Sequence, residues 1–196
     1  MTTTPAPAPL QAAIAALAHE RPLTQDGITA AFDVVMRGDA SQVQIAALLT
    51  GLRVRGESAE VVAGAASALR RAMVRLDLPQ HERIVDTCGT GGDRSGTVNV
   101  STMAALVAAG AGARVVKHGN RAASSQAGSA AALAALGVAI GLGAALVATC
   151  VEEAGVGFCF ARRYHPAMRF LGPARAEIGV PTTFNFLGPL ANPARV

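Results

Sequence analysis

Two short stretches carry the side chains that could do chemistry: Asp86-Thr-Cys-Gly-Thr-Gly-Gly-Asp93 and Lys117-His-Gly-Asn-Arg-Ala-Ala-Ser-Ser125. In the first, Gly89, Gly91 and Gly92 permit positive φ, so successive backbone N–H groups can point into one concavity. A helix N-terminus expected near Asn99 adds further donors, and such a concavity suits a phosphate. Downstream of Thr97, the run Asn99-Val100-Ser101-Thr102 brings hydroxyls, and a hydroxyl beside a phosphate is a common magnesium ligand. Asp93 is the odd member, because a carboxylate repels a phosphate; it fits if it accepts from ribose hydroxyls or orients a metal-bound water. Alone, this loop reads equally well as a glycine turn followed by N-cap residues. The second loop shifts the balance. Lys117 can neutralise a phosphate as a point charge, and Ser124, Ser125 and Ser129 can donate to a terminal phosphate. His118 admits two roles: a general base, with an ordinary pKa of about 6.5, or a neutral imidazole that packs on an aromatic substrate. The second is favoured. The expected ligand is a phosphorylated small molecule.

A third polar group, Tyr164-His-Pro-Ala-Met-Arg169 with Arg175, follows downstream. Arg175 could pair bidentately with a carboxylate or sit as a surface arginine on a helix. Cys88, Cys150 and Cys159 show no CxxC spacing and follow no secretory signal, which fits a reducing cytoplasm and thiols used as small packing residues. Cys88, inside the glycine loop, is expected to be partly exposed, but no base lies at a spacing that would make it a nucleophile. No metal cluster of His/Cys spacing and no Ser-His-Asp arrangement is visible.

These residues need elements to position them. Each loop follows a β-prone run (Arg83-Ile84-Val85; Ala113-Arg114-Val115-Val116) and leads into a small-residue helix. Both therefore belong at the carboxyl ends of neighbouring strands, where open α/β sheets bind ligands. Upstream, the pattern is helical from Leu10 to Arg75, with Thr24, Ser41 and Ser58 as N-caps before apolar stripes. Downstream come strand 83–86, helix 99–109, strand 113–117, helix 128–136, helix 143–154 and strand 157–160. Strands alternating with helices predict a mainly parallel sheet. The expected organisation is a disordered Pro/Thr/Ala tail over 1–9, a helical domain over 10–77 and an α/β domain over 78–196. With three or four strands in hand, and an end at Val196 just after a Phe-Leu-Gly-Pro turn, the chain reads as the first part of a longer one. Residues 130–151 lack charge and are long enough for a membrane span. The intervening Gly137, Gly141 and Gly143 instead predict two short buried helices joined by a glycine turn. The net charge of +4 reads as a solvated surface plus an anion site. A nucleic-acid partner is disfavoured because no Lys/Arg run with interleaved aromatics occurs.

At these residues the chain resembles the anthranilate phosphoribosyltransferase family. The motifs are Asp86–Asp93, Asn99–Thr102, Lys117–Ser125, Gly128-Ser-Ala130, His165-Pro-Ala-Met168, Arg175 and Thr183–Pro193. The resemblance implies a helical dimerisation domain, and hence a homodimer through the N-terminal helices. It also implies an α/β phosphoribosyltransferase domain of the nucleoside-phosphorylase-like type. The implied reaction moves a phosphoribosyl group from 5-phosphoribosyl 1-diphosphate (PRPP) to the amine of anthranilate, with Mg²⁺, in cytoplasmic tryptophan biosynthesis. By matching position, Gly89, Gly92, Asp93, Thr97, Asn99, Val100, Ser101, Thr102, Lys117, Ser125 and Ser129 resemble the PRPP contacts. Ser101 resembles the magnesium contact, and Gly89, His118, Asn120 and Arg175 the anthranilate contacts. No dedicated catalytic base is implied. Anthranilate's amine is already nucleophilic, so help with diphosphate departure is electrostatic, from Mg²⁺, Lys117, Asp93 and backbone donors.

Two departures stand out. Ala131 and Ala134 replace two carboxylates usual in the family, and the family's downstream Asp-Glu magnesium pair lies beyond Val196. The residues in hand are therefore expected to lack part of the metal site and to have doubtful full activity. Two other readings remain at this stage. One is a non-catalytic relative that binds nucleic acid through its basic face. The other is a nucleoside phosphorylase, against which Arg175 and Asn185-Phe-Leu-Gly-Pro-Leu190 count.

Overall fold

The computed structural model describes residues 8–79, 83–91, 98–121 and 128–196. They form two units.

The first unit is helical: α1 (Pro9–Ala18), α2 (Gln25–Arg37), α3 (Gln42–Arg55) and α4 (Ala59–Ala72). The expected caps are made. Thr24 Oγ1 accepts from Gly27 N at 3.1 Å. Ser41 Oγ accepts from Gln44 N while Gln44 Oε1 accepts from Ser41 N, at 3.2 and 3.0 Å, closing a capping box. Ser58 Oγ accepts from Val61 N at 3.4 Å. The apolar stripes meet in a core of Ile28, Phe32, Val35, Ile45, Leu48, Leu49, Leu52, Ala65 and Ala68, all 0–1% exposed. Gly64 lets α4 lie close on α2, since a Cβ there would stand 2.7 Å from the Gln25 carbonyl oxygen.

The structure groups residues differently from the expected domain limits in three places. Helix α1 begins at Pro9, where proline suits the first helical turn; residues 1–7 of the expected tail lie outside the described residues. Residues 167–184, expected in the α/β domain, belong to the helical unit. Gln42 clamps them there, donating to the Phe170 carbonyl and accepting from Ala174 N, both at 3.0 Å. Phe184 meets Phe32 edge-on at 5.3 Å, and Thr183 Oγ1 donates to Glu57 at 3.2 Å. Finally, residues from Met73 onward join the α/β unit. Val74 N donates to the Tyr164 carbonyl (2.8 Å) and Leu76 N to the Pro193 carbonyl (3.1 Å).

The second unit contains a parallel sheet in the order β1 (Ile84–Val85), β2 (Arg114–Gly119), β3 (Val156–Phe160). Around it stand α5 (Val100–Gly110), α6 (Ser129–Ala135), α7 (Ala144–Ala154) and the single turn α8 (Ala161–Tyr164). A further short helix, α9 (Gly172–Ile178), belongs to the helical unit. The central strand is buried from Val115 to His118, as expected for a parallel strand covered on both faces. The core gathers Leu76, Val116, Val147, Val151, Cys159 and Tyr164. Strand 83–86 pairs only over Ile84–Val85, because the Asp86 carboxylate takes up backbone N–H groups of its own surroundings (below). The two helices expected to be buried bury only one stripe each, Ala130 with Leu133 and Val147 with Val151, while Leu136 and Leu146 stay exposed. Their alanines face outward at little cost, since a methyl group carries little transfer energy. Among the described residues no helix is long and apolar enough to cross a membrane.

Candidate functional site

Past β1, the first loop leaves the sheet and returns into α5. Asp86 Oδ1 accepts from the backbone N–H of Cys88 at 2.9 Å and of His118 at 3.2 Å. Thr87 Oγ1 donates to the Ser101 carbonyl at 2.7 Å. Gly89 and Gly91 are exposed and would meet no atom within 4 Å if they carried a Cβ; Gly91 alone of the two has positive φ, +69°. Gly92, Asp93 and Thr97 lie outside the described residues.

Helix α5 starts after Asn99, whose side chain makes no cap hydrogen bond; the N–H groups of Val100 and Thr102 donate instead to the Val98 and Asn99 carbonyls, at 2.7 and 2.9 Å, and the helix start keeps its positive dipole end. Ser101 is half-buried and Val100 exposed. Thr102 is 4% exposed, and its buried hydroxyl has no hydrogen-bond partner among the described residues. A buried polar atom left unsatisfied is costly, and a ligand oxygen would satisfy it.

Lys117 rises from β2 beneath this loop, only 2% exposed. Its Nζ donates to Ser101 Oγ at 3.1 Å and approaches Thr87 Oγ1 at 3.4 Å. Burial pushes its pKa down, and the Asp86 carboxylate pushes back. Residues from two adjacent strands thus put one buried ammonium against the N-terminal turn of α5, as expected of the two loops together. The nucleic-acid reading loses support, since Lys117 is no part of an exposed basic face.

The second loop begins where β2 ends. A Cβ on Gly119 would stand 2.8 Å from Phe158 Cε2 and 3.3 Å from Ser129 Cβ, so glycine is what lets α6 start against the strand end. Ser129 is half-buried there, and Ala130 N donates to the Asn120 carbonyl at 3.3 Å. Asn120 is exposed, with its side-chain oxygen accepting from Arg121 N at 2.8 Å. Ser124 and Ser125 lie outside the described residues. Ala131 and Ala134 are exposed on α6, so the departures from the family pattern fall on its solvent face.

His118 is 4% exposed. Its Nδ1 lies 3.1 Å from the Gly188 carbonyl; a carbonyl only accepts, so Nδ1 carries the proton. Nε2 is buried without a partner. Burial pushes the ring's pKa down, which favours the neutral lining role over the base. His165 lies beside it, its ring tilted by 54° with 5.0 Å between ring centroids. Its own pKa is pushed down to about 4, first by burial and then by His118.

The residues of the expected third polar group divide between the two units. Tyr164 and His165 are interior residues of the α/β unit, whereas Arg169 and Arg175 belong to the helical unit. Hydrophobic packing draws the Tyr164 ring inward, and Arg169 lies over Phe170 at 4.6 Å. Arg175 is half-buried on α9, 5.9 Å from the Phe184 ring centroid.

Three features escaped the sequence reading. Asp86 and Asn192 are bonded to each other, with Asn192 Nδ2 donating to Asp86 Oδ2 and to the Val116 carbonyl, both at 2.8 Å. Thr87 supports both Lys117 and Ser101. Finally, Asp86, Cys88 and His118 bring ligand-type atoms within 4.8 Å of one another, a grouping that spacing could not show because it spans two strands. Its chemistry is that of a hydrogen-bonded hub. The Asp86 oxygens are engaged by N–H donors, and burial raises the Cys88 thiol to about 11, which keeps it protonated and unsuited to act as a nucleophile.

Known protein families match the chain in two parts. Residues 11–73 match the family described as "Glycosyl transferase family, helical bundle domain", and residues 81–196 match "Glycosyl transferase family, a/b domain". The chain is 55% identical over 185 residues to the anthranilate phosphoribosyltransferase of Rubrobacter xylanophilus, covering 94% of this chain and 54% of that protein. For Salinispora arenicola the figures are 53% identity, 93% and 52%. The crystal structure of the Thermus thermophilus enzyme superposes with a TM-score of 0.87 at 47% identity, covering 93% of this chain and 55% of that one. The Saccharomyces cerevisiae enzyme in complex with PRPP and Mg gives 0.87 at 31% identity, covering 96% and 56%. The chain spans about half the length of the curated relatives it matches. It belongs to the glycosyl transferase family built from a helical bundle and an α/β domain, and within that family it is similar to the anthranilate phosphoribosyltransferases.

Proposed function

We propose that the protein carrying these residues transfers the phosphoribosyl group of PRPP to the amine of anthranilate and releases diphosphate. The observation that carries this reading is the buried Lys117 ammonium held 3.1 Å from Ser101 Oγ at the start of α5. Among the described residues its direct contacts are hydroxyls and not an ion pair, which leaves the ammonium ready for a ligand anion. In this reading Gly89, Gly92, Asp93, Thr97, Asn99, Val100, Ser101, Thr102, Lys117, Ser125 and Ser129 hold PRPP. Gly89, Asn120 and the neutral face of His118 receive the anthranilate ring, and Arg175 pairs with its carboxylate.

The chemistry asks little acid–base work of the chain. The reaction's hard step is loss of diphosphate from the ribose C1′, which leaves charge on the leaving group. Lys117 and the positive end of the α5 dipole are fixed in advance where that charge grows, and fixed charges stabilise it without reorganising. Holding the amine against C1′ supplies orientation. His118, uncharged at neutral pH, excludes water and offers a flat wall.

Ser101 Oγ is a neutral, hard oxygen that already accepts from Lys117. That suits a magnesium ion carried mainly by diphosphate oxygens and water, with the hydroxyl as one ligand. When bound, the ion neutralises charge on the departing diphosphate. We also propose a homodimer formed through the N-terminal helices and a cytoplasmic location, both supported by the family relationship alone.

The test is titration of the chain with PRPP and Mg²⁺ by calorimetry, followed by anthranilate fluorescence when all three are mixed. Saturable PRPP binding that Lys117→Met abolishes is the expected result. Equal PRPP affinity in Lys117→Met would remove the observation on which the reading stands.

A further inference from the structure

Asp86 sits at the carboxyl end of β1 and joins three segments of the α/β unit. Its Oδ1 accepts from Cys88 N in the first loop and from His118 N near the end of β2, at 2.9 and 3.2 Å. Its Oδ2 accepts from Asn192 Nδ2 at 2.8 Å. Asn192 is fully buried and fixed in turn, donating to the Val116 carbonyl and accepting Ala194 N on Oδ1, each at 2.8 Å. Hydrogen bonds to an ionised acceptor are stronger and shorter than neutral ones, so this carboxylate is held from both sides. The strand it ends carries only Ile84 and Val85 in the sheet. The first loop is therefore tied to β2 more by Asp86 than by the ladder.

We propose that Asp86 is a positioning residue of the PRPP site: clamped by Asn192, it sets the first loop in register with the end of β2. The inference rests on reading these loops as that site. The two backbone donors that Asp86 holds belong to Cys88, one residue before Gly89, and to His118, one residue after Lys117. A displaced carboxylate would therefore shift the glycine loop against the strand end that carries Lys117.

Asn192→Ala removes the clamp and leaves the carboxylate with its two backbone donors. Asp86→Glu keeps the charge and displaces it by one methylene. PRPP affinity is measured by calorimetry for wild type and both variants where each is fully folded, with the thermal midpoint beside it. Both variants are expected to bind PRPP about tenfold more weakly, the order expected for one lost charge-assisted contact. Lower thermal midpoints with unchanged PRPP affinity would leave Asp86 a purely structural residue and overturn the proposal. Should Asp86→Glu fail to fold, Asn192→Ala carries the test. A wild-type chain that binds no PRPP would overturn the site reading and this inference with it, whereas wild-type binding with unchanged affinity in the variants overturns the inference alone.

Discussion

His118 and His165 show how burial selects a role for a residue whose type leaves several open. Each ring is about 4% exposed, and each is driven toward the neutral form. A neutral pair can line a pocket for an aromatic ring; a charged pair this close would repel. The same burial has a pH consequence. The folded-state pKa of His165, about 4, lies below its ordinary 6.5, so between those values the unfolded chain binds the extra proton. Stability is then full above pH 6.5 and is lost as pH falls toward 4, with a ceiling of about 3 kcal/mol. Urea midpoints measured at pH 7 and pH 4.5 should separate more in wild type than in His165→Gln; equal separations would contradict a neutral, buried His165. Arg175 poses the complementary case of a cation held half-buried against Phe184. If it binds the anthranilate carboxylate, Arg175→Ala should weaken anthranilate binding by roughly tenfold to a hundredfold. PRPP affinity should barely change. Fluorescence titration of anthranilate measures the first and calorimetry the second, and a loss confined to PRPP would reject the carboxylate role.

At the scale of elements, the site depends on where helices start. Helix α5 starts at Asn99 with no side-chain cap bond, and α6 starts where Gly119 gives it room. Gly119→Ala forces a methyl to 2.8 Å from a buried Phe158 ring atom. Overpacking of this kind costs about 1–3 kcal/mol, and here it also displaces Ser129. We expect a lower thermal midpoint together with weaker PRPP binding; a fall in stability with unchanged affinity would detach Ser129 from the site. Helix α3 offers a control away from the loops. Its capping box is local and complete, so Ser41→Ala should cost about 1 kcal/mol in chemical denaturation and leave PRPP affinity alone. A loss above about 3 kcal/mol would mean that Ser41 carries more than its cap. The helix starts were legible because caps act over three residues. The length of β1 was not, because pairing ends where a side chain claims the backbone donors, and that depends on Asn192, far along the chain.

For the whole molecule, the proposed homodimer needs an apolar helical face. Val43 and Val54, 80% and 84% exposed, stand eleven residues apart on α3, a spacing that returns to the same face of a helix within about 20°. Exposed valines aligned in this way suit a partner surface. Replacing both with glutamate should shift sedimentation at fixed concentration from dimer toward monomer without altering helix content. A monomeric wild type would remove the dimer proposal altogether.

What the sequence determined by itself is whatever acts over a few residues or repeats with a fixed period. Thr24, Ser41 and Ser58 cap their helices, Gly38 and Gly155 close theirs in the left-handed conformation, and alternating strands and helices give a parallel sheet. Loop chemistry was legible too, since Lys117 and the Ser101–Thr102 pair follow strands whose ends must be neighbours. Tertiary structure alone decided three things. It took residues 167–184 into the helical unit, because Gln42 and Phe32 satisfy them there. It buried Tyr164 and His165, because packing rather than residue type sets exposure. It joined Asp86 to Asn192 across 106 positions, because a half-buried carboxylate needs donors that no local pattern supplies.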